Sequence, residues 1–98
     1  MAEIRWTLQA AEDFDSAAAF IAADSAHYAE IFVDDVFAAI DRLALFPQSG
    51  RIVPESGDPA IREVILGNFR LVYRLEADAI TILTIYHGSR LLDPSRLK

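Results

Sequence analysis

Residues 61–75 read IREVILGNFRLVYRL, and the order of apolar and charged residues there decides the fold. Gly67-Asn68 separates two runs, residues 60–66, which begin at the preceding Ala60, and residues 69–75. Successive side chains of a strand point to opposite faces. Phe69, Leu71, Tyr73 and Leu75 therefore share one face, and Arg70, Val72 and Arg74 share the other. A Gly-Asn pair suits a two-residue hairpin turn that needs positive φ. The reading is an antiparallel hairpin whose apolar face seeks a cover. Charge buried without a partner is costly, so the arginines on the second face must meet a partner or a groove.

The neighbouring segments extend this hairpin into a sheet. Glu76-Ala77-Asp78 turns the chain into ITILTIYHG, residues 80–88. A strand over residues 79–86 is apolar on both faces, as a central, covered strand would be. On the other side, residues 48–58 hold Gly50, Pro54 and Gly57, and Ser56 to Pro59 reads as a turn cluster. This segment reads as a connecting loop.

The first half of the chain supplies the cover. Residues 3–8 alternate, with Ile4, Trp6 and Leu8 on one face, and read as a strand. Thr7 can serve as N-cap for a helix over residues 9–23. Glu12 and Asp13 stand in its early turns, where the helix dipole favours negative charge. Phe14, Ala18 and Ile21 recur at helical spacing. Ser25 can cap a second helix that runs to residue 45. Its stripe is Tyr28, Phe32, Val36, Ala39, Ile40, Leu43 and Phe46. Pro47 stops it. The order is β-α-α-β-β-β, an α+β fold in which a helix hairpin packs on one face of a small, mainly antiparallel twisted sheet. Residues 1–98 read as one domain, and residues 91–98 as a short turn or helix without an assigned place.

Composition narrows the function. The chain has 98 residues, 53% of them hydrophobic, and a net charge of −6. No apolar run approaches the roughly 18–20 residues of a membrane span. The start, MAEIRWTLQAAEDF, lacks the pattern of a secretion signal. A soluble cytoplasmic protein without a membrane partner is expected. With no cysteine, disulfides and thiolate metal sites are excluded. Asp34-Asp35 has no His or Cys nearby, so neither metal nor cofactor is expected. Residues 1–49 set two arginines against nine acids, a balance of −7. Residues 50–98 set six arginines and Lys98 against six acids, a balance of +1. A sequence pI near 4.7 argues against binding that rests on phosphate neutralisation. Direct sequence-specific DNA binding by this chain alone is not expected.

The candidate site residues lie in the second half. Arg70 and His87 fall at the same end of the sheet, because the last two strands run antiparallel. Glu55 sits in the loop leading to the adjoining strand and can reach that end. Arg51, Arg62 and Arg74 are further cationic candidates for a phosphate or a partner's acid. Each also has a structural reading. Arg70 and Arg74 can pair with Glu63 or Glu76 across the sheet, Gly50-Arg51 can be a turn with an ion pair, Glu55 can be a solvated acid, and His87 can be a satisfied strand-end histidine.

Taken together, Trp6-Thr7, the two helices, Phe46-Pro47 with Gly50-Arg51, Arg62-Glu63, Arg70-Leu71-Val72-Tyr73-Arg74 and Ile85-Tyr86-His87 resemble the RelE/ParE superfamily of type II toxins. The resemblance covers nearly the whole chain. It implies the β-α-α-β-β-β fold and a cognate antitoxin of the ParD or RelB kind that neutralises the toxin by direct binding. It also implies one of two targets. RelE-like members cut messenger RNA on the ribosome, whereas ParE-like members, many grouped as plasmid-stabilisation proteins, poison DNA gyrase. In the nuclease reading Glu55 is the base, His87 the acid and Arg70 the phosphate ligand, with Arg51, Arg62 or Arg74 assisting. An unperturbed imidazole titrates near pH ~6.5, which suits proton transfer in the cell. This sequence departs from RelE: its only lysine is Lys98, and Gly88 follows His87 where a tyrosine often completes the site. The acidic composition also suits a protein target better than the ribosome. The expectation is therefore ParE-like, with the ribonuclease as the alternative. An antitoxin acid meeting Arg70 and Arg74 would fit either.

Overall fold

The computed structural model describes residues 1–88, so the expectation for residues 91–98 lies outside the described residues. In chain order the elements are β1 (Glu3–Trp6), α1 (Leu8–Asp24), α2 (Ala26–Leu45), β2 (Arg51–Ile52), β3 (Ile61–Leu66), β4 (Phe69–Leu75) and β5 (Ala79–His87). The strands form one five-stranded sheet in the order β1-β5-β4-β3-β2, and only the β1–β5 pair is parallel. The α+β arrangement is the one expected, with β2 as an addition inside the expected loop.

Local chemistry sets the boundaries. The Thr7 hydroxyl accepts a hydrogen bond from Ala10 N (2.9 Å), so the chain leaves β1 two residues earlier than alternation suggested. Leu8 becomes the first helical residue and is exposed, rather than sharing a face with Ile4 and Trp6. Ser25 serves both helices. Its N–H donates to Ile21 O at the end of α1, and its hydroxyl accepts from Tyr28 N (3.1 Å) at the start of α2. In the β3–β4 turn Gly67 has φ +61°, while Asn68 does not have positive φ. That fits a II′ turn, in which only the first central residue needs it.

The helices cover the face of the sheet assigned to them. Val36, Ile40 and Leu43 of α2 and Ala10 and Ala17 of α1 pack with Leu71, Tyr73, Ile80, Ile82 and Ile85. A run of rings links the two layers: Trp6–Phe14 (5.6 Å between centroids), Phe14–Phe32 (6.0 Å) and Phe32–Phe69 (4.9 Å). Asp13, placed early in α1 by the sequence, turns towards the sheet and accepts a hydrogen bond from the Thr84 hydroxyl (2.5 Å). The opposite face carries a smaller core of Val53, Ile61, Val72, Leu83 and Tyr86. Val53 comes from the connecting loop, so that loop is partly a cover in its own right.

One irregularity shapes everything at the far end of the sheet. From Leu75↔Ile80 to Tyr73↔Ile82 the β4–β5 register is regular, but Val72 pairs with Thr84, leaving Leu83 as an extra residue. A one-residue shift moves all later side chains of a strand to the other face. Beyond the bulge, Arg70 lies opposite Tyr86 and Phe69 lies opposite His87.

Candidate functional site

The outer face of the sheet holds a cluster of four charged groups assembled by three strands and a loop. β2 and β3 set Arg51 opposite Glu63, and β4 carries Arg70. Glu63 is the centre: its side chain has no exposed surface. Its Oε2 accepts from Arg51 Nε (2.5 Å), and its Oε1 accepts from Arg70 Nε (2.6 Å) and from Nη2 of the same guanidinium. A buried carboxylate held by two guanidinium groups is the paired arrangement that burial of charge requires.

Glu55 closes the cluster from outside. Its two carboxylate oxygens accept from Arg70 Nη1 (2.9 Å) and Nη2 (3.1 Å) in a two-pronged contact. Such forks fix geometry as well as charge. Arg70 is only 11% exposed, whereas Glu55 is 42% exposed. The Arg70 guanidinium is held above its ordinary range, first by the Glu55 hydrogen bond and then by Glu63, against the opposing effect of burial. The Glu55 carboxyl is pulled below its ordinary value, chiefly by the hydrogen bond from Arg70. The Arg70 guanidinium carbon also lies 5.2 Å from the centre of the Tyr86 ring, a cation–π contact. Burial pushes the Tyr86 phenol up, with Arg70 acting in the opposite direction.

Not all the expected residues meet there. Glu55, Arg70 and Arg51 come together around Glu63. His87 does not face them: it shares the helix side with Phe69, and the two rings stand edge-to-face at 5.3 Å. It is at the same end of the sheet as Arg70, as expected, but on the opposite face. Arg74 is on Arg70's face four residues along β4, about 13 Å away at strand spacing. Arg62 turns to the loop, where it donates to the carbonyls of Pro59 (3.2 Å), Gln48 (3.1 Å) and Gly50 (3.0 Å). Its role in the structure is to pin backbone.

Gly50-Arg51 has a similar local reason. The Tyr73 hydroxyl donates to Pro47 O (2.7 Å) and accepts from Gly50 N (3.0 Å). A Cβ on Gly50 would come within 2.5 Å of that hydroxyl oxygen and 2.8 Å of Glu63 O. Only glycine lets the chain pass this close before β2 delivers Arg51 to Glu63.

The comparisons with known proteins agree with this architecture. Residues 4–92 match the family described as the ParE toxin of the type II toxin–antitoxin system parDE. The chain belongs to this ParE toxin family. It is 35% identical over 87 residues to the protein named "Putative toxin Y4kP" of Sinorhizobium fredii, covering 87% of this chain and 86% of that one. A chain in the structure of the chromosomal ParDE system of P. aeruginosa superimposes with a TM-score of 0.69 at 26% identity, over 89% of this chain and 96% of that one. A chain in the RelBE2 toxin–antitoxin complex of Mycobacterium tuberculosis gives 0.60 at 19% identity, over 88% and 96%, a likeness of fold alone.

In this ParE-family chain, two residues here were not singled out as site residues from sequence, Glu63 of the charged cluster and Tyr86 beside Arg70. Glu63 is an acid on the arginines' face of β3, between two arginine-bearing strands, a signal of a buried ion pair. Tyr86 reaches Arg70 only because of the Leu83 bulge, and no residue type announces that bulge. Among the described residues no group of His, Cys, Asp or Glu has the arrangement of a metal site. No helix among them is long and apolar enough to cross a membrane.

Proposed function

We propose that this chain is the toxin of a type II pair, that a cognate antitoxin neutralises it by direct binding, and that it arrests growth in the ParE manner by acting on DNA gyrase. The observation that carries the reading is the placement of His87. A ribonuclease of the Glu-Arg-His kind needs base, acid and phosphate ligand around one scissile phosphate. Here the histidine is on the helix face, packed on Phe69, while Glu55 and Arg70 are on the other. Arg70 is already committed to two carboxylates, which lowers its availability to a phosphate. Family membership and the acidic charge of −6 favour a protein target over ribosomal RNA.

Antitoxin binding has surfaces to use. Phe20, Tyr28, Phe37 and Ile65 are exposed. Among the described residues β2 pairs β3 only at Arg62 and Glu63, so the outer edge of β3 from Val64 to Leu66 is open to an added strand. A disordered antitoxin segment that folds on binding gains affinity from such edges and anchors.

The test is induction of the toxin alone in a bacterial host, with and without His87→Ala. Growth arrest retained by His87→Ala, with gyrase trapped on cleaved DNA and no new messenger-RNA 5′ ends, is the expected result. Codon-registered cuts that disappear with Arg70→Ala or His87→Ala would instead establish the ribosome-dependent nuclease. Equal growth with and without co-expressed antitoxin would remove the toxin reading for this chain.

A further inference from the structure

Three observations on the outer face of the sheet fall at one place. The outer edge of the Arg70 guanidinium is filled by a carboxylate from the same chain, Glu55, which rides on a loop and is 42% exposed. The inner edge is fixed separately by Glu63, which is fully buried. Beneath the guanidinium, Tyr86 is 8% exposed, and its hydroxyl is buried with no hydrogen-bond partner among the described residues. That hydroxyl lies within the electrostatic reach of Arg70, Glu55, Glu63 and Arg51 alike. Buried hydroxyls are nearly always satisfied, so an orphan beside a charged fork asks for an acceptor.

We infer that Arg70 and Tyr86 form a carboxylate-binding site in which Glu55 is a place-holder, displaced by an acidic side chain of a partner polypeptide. The inference deepens the antitoxin reading and rests on it only for the source of the carboxylate. The incoming group takes the two terminal nitrogens that Glu55 holds and accepts a hydrogen bond from the Tyr86 hydroxyl, which Glu55 does not receive. Exchange is easier on the outer edge, where the Glu55 carboxylate is 42% exposed and can turn to water. It is difficult on the inner edge, where Glu63 has no exposure. Charge selects a carboxylate over a phosphate. Arg51 and Arg70 are balanced by Glu63 and Glu55, and a monoanion in place of Glu55 keeps the balance, whereas a phosphate dianion overshoots it. The loop's base holds meanwhile, since Val53 is fully buried with Tyr86 and Leu83.

The experiment uses the full chain with sodium acetate as probe, at constant ionic strength, following the Arg70 Nε–H resonance by NMR. Glu55→Ala should bind acetate about tenfold more tightly than the wild type, the scale of one charge-assisted hydrogen bond exchanged. Adding Tyr86→Phe should weaken that binding severalfold. Acetate binding no tighter in Glu55→Ala than in wild type, or no effect of Tyr86→Phe, overturns the site. Inorganic phosphate saturating below acetate overturns the choice of a carboxylate. Glu55→Gln gives the same readout if the alanine variant does not fold. Antitoxin affinity that rises in Glu55→Ala supports the antitoxin as the source. Unchanged affinity beside intact acetate binding overturns that source but not antitoxin binding itself. A wild-type chain that binds no antitoxin fails the functional reading, while the acetate titration still judges the site.

Discussion

Glu63 and Glu55 both hold Arg70, yet their removal should have very different consequences. Glu63 is wholly buried and makes contacts to two guanidinium groups. Breaking a buried pair from one side costs about 3–5 kcal/mol, because the partner charge is left behind. Here the lower end applies. Arg51 is 62% exposed and can turn to water, and Arg70 keeps the Glu55 fork. Glu63→Ala should therefore cost about 3 kcal/mol. Glu55 is 42% exposed and its removal leaves Arg70 paired with Glu63, so Glu55→Ala should cost about 1 kcal/mol, the upper end for a surface pair. In a domain of this size, about 3 kcal/mol lowers the melting temperature by about 12–24 °C, and 1 kcal/mol by about 4–8 °C. Urea unfolding of both variants at pH 7 measures the contrast directly, and an unchanged m-value keeps the comparison valid. Equal costs for the two variants, or a larger cost for Glu55→Ala, would refute the division of the cluster into a buried anchor and an exposed clasp.

Three further outcomes follow from the same geometry. Tyr73→Phe removes hydrogen bonds to Pro47 O and from Gly50 N and should cost about 1–3 kcal/mol by calorimetry, with the stranded Gly50 N–H pushing towards the upper end. Tyr86→Phe removes a buried hydroxyl that has no partner among the described residues and should leave stability unchanged or raise it by about 1 kcal/mol; a loss of that size would show that the hydroxyl is satisfied. The hydrogen bond from Arg70 depresses the Glu55 carboxyl below its ordinary value, so its contribution is complete above that ordinary value and is lost as pH falls through the depressed one. The stability gap between wild type and Glu55→Ala should accordingly be constant near neutrality and close in acid. A gap that widens in acid would contradict the Arg70 pairing.

The fold was largely legible because its faces are written in alternation. Phe69, Leu71, Tyr73 and Leu75 do meet the helices, and Ser25 and Pro47 do bound the second helix. Thr7 was legible as a cap, though alternation through Leu8 argued for a longer strand. Capping won because the hydroxyl satisfies the helix's early N–H groups. The site was legible in part. Glu55 and Arg70 meet, but the relation of His87 to them depends on Leu83. With a regular register Arg70 would stand opposite Ile85, and His87 would then fall on the arginine's face. The inserted residue gives that position to Tyr86 and sends His87 to the helix side. A bulge is a property of how two strands settle together, and Ile82-Leu83-Thr84 carries no turn residue to announce it.

The parallel pairing of β1 with β5 has a consequence for the order of synthesis. Chains emerge N-terminus first. Glu3 to Trp6 can find their partners only when residues 79–82 have been made, after more than three quarters of the chain. α1, which packs chiefly on β5, waits for the same event. A chain that ends before Ala79 has β2, β3 and β4 but lacks β5, the strand with which β1 pairs and on which α1 chiefly packs. The growing polypeptide thus stays without its five-stranded sheet until β5 is translated, and its own topology sets how late in synthesis that sheet can close.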